Sequence, residues 1–273
     1  MMKQARMAAP RERISAAIQA ATDEGRTALV GFLTAGFPTR AEFKANLAAV
    51  ASVCDAVEIG VPFSDPMADG TTIQRASYVA LRDGVTLPWI LEQLTALDPR
   101  PAAPILLMSY LNPLLSVGLE ALPLAAAAAG VAGFIVPDLP FEESDDLNRA
   151  LDREGLALVQ MVTPVTPPDR LAMLCREAKG FVYAVTLTGT TGTPKGSSAE
   201  VPLDVLEYMD RVRACANVPV CAGFGIRSRE QVSRFAGHVD GVVVGSALVE
   251  VLERGEDVTV FLRSLREEPG SSA

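Results

Sequence analysis

One histidine, His238, is the only imidazole in the 273-residue chain, and its four cysteines, Cys54, Cys175, Cys215 and Cys221, lie far apart with no Cys-x-x-Cys pair. Zinc sites are assembled from clustered Cys and His. No metal site is therefore expected, and the thiols read as reduced core residues of a cytosolic protein. Basic residues are also in deficit, 24 Lys and Arg against 33 Asp and Glu, for a formal net charge of −9. That balance excludes the phosphate-neutralising surface on which nucleic-acid binding depends. An anionic substrate stays open, provided that local backbone donors hold it rather than the global field.

Uninterrupted apolar runs of membrane length are missing too. Residues 101–119 carry Pro104, Asn112, Pro113 and Gly118, and residues 121–137 carry Pro123 and Gly130. Such interruptions suit a strand, a loop and a small-residue helix better than a span. Lys3, Arg6, Arg11 and Arg13 are followed by no apolar segment, so the N-terminus reads as a lead into a helix and not as a signal peptide. A soluble, cytoplasmic protein is expected, with no membrane partner. Gly31 and Gly36 do not complete a Gly-x-Gly-x-x-Gly turn after the first strand, which argues against a dinucleotide fold.

What the chain does have is 49% hydrophobic residues, enough for a large core. Short β-branched runs recur between helical patterns. The expected strands are 28–34, 55–60, 104–109, 133–136, 156–162, 181–186, 218–222 and 241–244. Several are continuously apolar, as parallel strands buried on both faces are. Helices are expected over 12–24, 40–53, 142–154, 168–178, 228–236 and 258–266. Thr86, Thr166 and Ser228 stand as N-cap candidates ahead of helices. Eight strands alternating with helices, and no linker between halves, predict an α/β fold. The expected form is a single (β/α)8 TIM barrel over residues 1–273, with an extra N-terminal helix and loose ends at about 1–10 and 269–273.

In such a barrel the chemistry sits just past the carboxyl ends of the strands. Glu58 lies inside an apolar strand, where alternation sets it and Gly60 on one face and Val57 and Ile59 on the other. Facing the barrel mouth, its carboxyl would be desolvated, its pKa would rise, and it could exchange a proton near neutrality. The competing reading is a Glu paired with a Lys or Arg on a helix. Asp65 and Asp69 follow in a loop rich in Pro and Gly, and for each the competing role is local, a turn or an N-cap.

Glycine-rich turns follow the last three strands: Thr188-Gly-Thr-Thr-Gly192, Gly223-Phe-Gly-Ile226 and Gly245-Ser246. Loops after strands seven and eight are a recurrent phosphate site of this architecture, and Gly245-Ser246 opens a helix whose N-terminus favours an anion. With only 5% aromatics, Phe32, Tyr110 and Tyr183 at or near strand ends are candidates to contact a planar ligand, core packing being the alternative. His238 precedes strand eight at the other end of the barrel. Chemistry is left to carboxylates, hydroxyls and thiols.

The segment Glu58-Ile-Gly-Val-Pro-Phe-Ser-Asp-Pro-Met-Ala-Asp-Gly-Thr-Thr-Ile-Gln74 resembles the signature of the tryptophan synthase alpha subunits. The resemblance extends through Gly31-Phe-Leu-Thr-Ala-Gly-Phe-Pro38, Met108-Ser-Tyr-Leu-Asn-Pro113, Val136-Pro-Asp-Leu-Pro140, Gly223-Phe-Gly-Ile226 and Gly245-Ser246, nearly the whole chain in order. It implies retro-aldol cleavage of indole-3-glycerol phosphate to indole and glyceraldehyde 3-phosphate.

By position, Glu58 resembles the acid–base carboxylate and Asp69 the one that accepts the indole N–H. Phe32, Tyr110 and Tyr183 resemble the walls around the substrate, and Thr191 a loop threonine that closes over the site onto Asp69. Gly192, Gly225, Gly245 and Ser246 resemble the phosphate cradle. The resemblance implies no cofactor in this chain. It implies a pyridoxal-phosphate-containing beta subunit as partner, in an α2β2 assembly that takes up the indole.

Leu187 stands where many relatives have Arg, Thr190 where they have Val, and Thr71 where they have Pro. These departures bear on lid closure and on coupling to the partner. A free-standing indole-3-glycerol-phosphate lyase and a catalytically silent regulatory barrel are the alternatives.

Overall fold

The apolar runs become eight parallel strands because each is covered on both faces, by helices outside and by the opposite side of the barrel within. The structure, a computed structural model, describes residues 8–186, 201–223 and 225–266. The strands are β1 (Ala28–Thr34), β2 (Ala56–Gly60), β3 (Ile105–Met108), β4 (Val131–Ile135), β5 (Ala157–Val162), β6 (Val182–Val185), β7 (Val220–Gly223) and β8 (Gly241–Val244). They close in sequence order, β8 pairing with β1. This is the (β/α)8 barrel that the alternation predicted. β1 and β8 begin and end where the sequence set them, and the others differ by one to two residues at an end.

Helices α1 (Pro10–Asp23), α2 (Phe43–Ala51), α3 (Thr71–Arg82), α4 (Leu87–Thr95), α5 (Leu111–Val117) and α6 (Ala121–Ala128) belong to the first half. The second half carries α7 (Asp145–Arg153), α8 (Pro168–Glu177), α9 (Leu203–Cys215), α10 (Arg229–Phe235), α11 (Ser246–Glu253) and α12 (Val258–Leu265). Two helices, not one, follow β2 and β3. No single helix among the described residues is long and apolar enough to cross a membrane, and α5 and α6, which would reach that length together, meet at 95°.

The extra helix α1 closes the amino-terminal end of the barrel. It starts with Pro10 in its first turn, a position where the missing N–H costs nothing, and it buries Ile14, Ile18 and Ala21. The Ser15 hydroxyl donates to the Gly180 carbonyl at 2.6 Å and the Arg11 N–H to the Gly155 carbonyl at 3.0 Å. Both acceptors lie in the turns that lead into β5 and β6, so the helix plugs the end where the strands begin.

Two local expectations are corrected. Thr166 does not cap α8, whose N-cap is Pro167; its hydroxyl accepts from the Thr163 N–H at 2.9 Å and serves the preceding turn. Residues 142–154 are not one helix. A 3-10 turn over Phe141–Glu143 ends at Ser144, whose hydroxyl donates back to the Phe141 carbonyl at 2.7 Å, and α7 begins after it. Thr86 and Ser228 do cap their helices, and Ser228 forms a reciprocal capping box with Gln231.

Strand register sorts the faces. Phe32 pairs with Glu58 and Glu58 with Leu106, so these three share the inner face. Gly31 points outward, where a Cβ would stand 2.7 Å from both Cys54 Sγ and Val50 Cγ1. Gly31→Ala should therefore overpack the seam between β1 and α2 and lower stability by about 1–3 kcal/mol. Urea unfolding monitored by circular dichroism measures this, and a midpoint equal to the parent's would show that the seam can open freely.

Candidate active site

Glu58 is carried into the barrel by the middle of β2, a strand whose five residues are all buried. Its side chain is 0% exposed, and neither carboxylate oxygen has a hydrogen-bond partner among the described residues. An ion so placed would forfeit its hydration and gain nothing in return, so the neutral acid is favoured. Burial, reinforced by the charge of Asp69, pushes Glu58 up from 4.5 to about 8. Among the described residues, no Lys or Arg partner of the competing reading is present.

Asp69 comes from the loop between β2 and α3 and is 7% exposed. It does not cap α3, whose N-cap is Gly70. The loop is held from both sides instead. The Gln74 side-chain amide donates to the Asp69 carbonyl at 2.8 Å, and the Ala68 N–H donates to the Tyr110 phenol at 2.9 Å. Tyr110 is itself stacked on Phe63, with ring centroids 5.0 Å apart. Burial raises Asp69 from 3.8 to about 6, partly offset by the Tyr110 hydroxyl. Asp65 turns away to take a hydrogen bond from the Ser64 hydroxyl at 2.5 Å and stays a loop former.

Both acids line one cavity. Phe32, Glu58, Asp69, Tyr183, Gly225, Gly245 and Ser246 all line it. A second, smaller space shares Phe32 and Asp69 with it and reaches Tyr110. Two rings set the width. A Cβ at Gly60 would stand 2.6 Å from Phe32 Cζ, and one at Gly223 would stand 2.1 Å from Tyr183 Cε1. Each ring lies flat across a glycine because no side chain is there to lift it.

Gly225 has φ +87° and, among the described residues, no atom within 4 Å of where a Cβ would project. Gly245 is the N-cap of α11 and faces the Phe32 ring, at 3.9 Å from a modest Cβ. The backbone here borders open space, and the first N–H groups of a helix have no intrahelical acceptor. That is a place for an anion. Among the described residues no group of three or more His, Cys, Asp or Glu could hold a metal ion.

The structure thus gathers eight of the ten sequence-predicted residues around two joined cavities. Thr191 and Gly192, like Leu187 and Thr190, lie outside the described residues. Ile73, Met108 and Val243 also line the main cavity and were missed as apolar core. For Met108 the signal was present: it pairs with Gly60, which alternation places on the face of Glu58. Ile73 gave no such signal, since only the packing of α3 turns it inward.

A family model described as "Tryptophan synthase alpha chain" matches residues 18–270. The chain belongs to the tryptophan synthase alpha chain family. The alpha chain of Solidesulfovibrio magneticus is 45% identical over 250 residues, 91% of this chain and 96% of that one. The alpha chain of Geobacter sulfurreducens is 43% identical over 266 residues, 95% and 99% of the two chains. Among solved structures, Mycobacterium tuberculosis tryptophan synthase superposes with a TM-score of 0.84 at 35% identity, covering 93% of this chain and 96% of its own. Subunit alpha of Legionella pneumophila tryptophan synthase gives 0.81 at 29%, with the same coverage. Relatives named for the synthase support a synthase subunit over a free-standing lyase or a silent barrel.

The alpha-family site makes a stability signature. The folded chain keeps the Glu58 proton up to about pH 8, whereas at its ordinary value of 4.5 the unfolded chain releases it. The stability that this proton carries is fully present below pH 4.5 and is lost as pH rises through 8. Glu58→Gln cannot ionise. Its Tm relative to the parent should therefore climb steadily between pH 5 and 9, by several degrees in all. A difference independent of pH would show that Glu58 is not held protonated by the fold.

Proposed function

We propose that this chain cleaves indole-3-glycerol phosphate to indole and glyceraldehyde 3-phosphate, with Glu58 as acid and base and Asp69 as the counter-charge. The observation that carries the assignment is the separation of two buried carboxyls at one cavity, Glu58 at about 8 and Asp69 at about 6. Near neutrality the first holds a proton and the second a charge, and such divergence sorts acids into different roles.

The step balances on these two groups. Asp69 accepts the indole N–H and stabilises positive charge on the ring while Glu58 delivers its proton to C3. The resulting Glu58 carboxylate takes the proton of the side-chain hydroxyl next to C3. The C–C bond breaks, its electron pair restores the ring, and an aldehyde is left on the departing phosphate. Glu58 ends protonated, as it began. The dry, inward-facing position of Glu58 suits a proton that must not be lost to water between the two transfers.

Phe32, Tyr110 and Tyr183 would bound the indole and glycerol. Gly225, Gly245 and Ser246, joined by Gly192, would hold the phosphate, and Thr191 would close over Asp69. The chemistry requires no cofactor in this chain. The family partners a beta subunit, and we assign to that partner the pyridoxal phosphate that uses the indole, in an α2β2 assembly in the cytoplasm. Residues 1–273 are read as one domain.

Three measurements test this. Indole release by the purified chain, with and without a cognate beta subunit, should rise strongly with the partner and fall by orders of magnitude in Glu58→Gln and Asp69→Asn. Turnover retained by Glu58→Gln removes the acid–base assignment. The rate should climb with pH as the carboxyl pair first ionises near 6 and fall as it loses its second proton near 8; a flat profile across both limbs contradicts the pairing. Gly245→Asp, whose side chain has room, should weaken inorganic phosphate inhibition at least about tenfold by charge repulsion. Unchanged inhibition puts the cradle elsewhere.

A further inference from the structure

Among the described residues, the lining of the proposed phosphate cradle after β7 and β8 is Gly225, Gly245 and Ser246, with no cation, in a chain of net charge −9. Two charged side chains lie close to it along the chain. Arg227 follows Gly225 by two residues. Glu250 follows Ser246 by four on α11, and residues four apart share one helix face, about 6 Å apart at Cβ. Helical side chains also lean toward the N-terminus, which brings the Glu250 carboxylate back toward the cradle.

These two groups meet. Arg227 Nη2 donates to Glu250 Oε2, and Glu250 Oε1 accepts from the Thr72 hydroxyl at 3.4 Å. The Arg227 backbone is fixed as well, its N–H donating to Gln231 Oε1 at 2.7 Å beside the Ser228 cap. One turn further along α11, Glu253 has its own partner in a two-pronged contact with Arg75, at 2.8 and 2.6 Å.

We infer that the Arg227–Glu250 pair is a charge balance for the phosphate cradle, Arg227 cancelling the repulsion that Glu250 would exert on a bound phosphate. Neither side chain needs to touch the phosphate. Each acts through the field at its base, where walls of low polarity carry a charge further than bulk water does. The guanidinium is half exposed, so it neutralises Glu250 without sealing the mouth. Thr72, three residues past Asp69, gives Glu250 a second tether. This inference rests on the cradle reading and extends it from backbone donors to the charges that tune them.

Opposite signs distinguish it from a structural brace. Removing either half of a brace weakens the site, whereas removing the two charges should move affinity in opposite directions. In the full chain assayed with its beta partner, we would measure KM for indole-3-glycerol phosphate and the inhibition constant for inorganic phosphate. Arg227→Ala should raise both by about 3–10-fold, and Glu250→Gln should lower both by about 2–5-fold. The double variant should return near the parent, and kcat should move less than either constant. Raising salt from about 0.05 to 0.5 M should shrink all of these differences.

Affinity lost in both single variants, or in neither, overturns the charge balance. So does a double variant worse than Arg227→Ala alone. Gly245→Asp run beside them separates the two levels. If it leaves phosphate inhibition unchanged, the cradle itself is misplaced; if it abolishes inhibition while the Arg227 and Glu250 variants match the parent, only the charge balance fails.

Discussion

A carboxyl group with no hydrogen-bond partner among the described residues, buried beside a cavity inside a largely apolar barrel, is the constraint around which the rest of this protein is arranged. Ionising Glu58 there would cost several kcal/mol, and no basic side chain among the described residues reaches it. The fold meets that cost by keeping the proton on. The same proton is the reagent that the proposed chemistry needs, so stability and function are set by one desolvated group. Asp69 raises Glu58 further, while its own loop position, against the Tyr110 hydroxyl, keeps it the easier of the two to ionise. Moving either acid by a residue would remove the difference.

The two ends of the cavity solve different electrostatic problems. At the end proposed for indole, charge would develop only during the reaction, and a single carboxylate in a dry pocket would suffice to meet it. At the end proposed for phosphate, the charge would be permanent, and the protein is acidic. Backbone N–H groups at the start of α11 are well placed for an anion, yet α11 itself bears Glu250 and Glu253. Both acids are matched by an arginine from another element, Arg227 from the loop after β7 and Arg75 from α3. The helix can then offer its N-terminus without exposing uncompensated negative charge beside it.

Much of this was legible in the chain. The alternation of apolar runs with helical patterns specified eight strands, because a parallel strand buried on both faces can hardly be written in any other composition. Strand alternation also placed Glu58 and Gly60 on a common face, and a register count would have added Met108. Less legible were the local hydrogen-bond choices. Thr166 and Ser228 look alike as caps. Only Ser228 has a glutamine three residues on to complete the box, whereas Pro167 displaces Thr166 into the turn. Ser144 breaks a helix that its neighbours would continue, since its hydroxyl satisfies the preceding carbonyl instead.

The sequence by itself determined the barrel, the strand that carries Glu58 and the loops that carry Asp69 and the glycines, because period, composition and spacing act over a few residues at a time. Tertiary structure alone decided that Glu58 would be buried at the cavity beside Asp69, that the Phe32 and Tyr183 rings would rest across Gly60 and Gly223, and that Arg227 would find Glu250 and Arg75 would find Glu253. Each of these joins residues from different elements, and Arg75 and Glu253 stand 178 positions apart. Their meeting depends on barrel closure, a long-range event that no local pattern records.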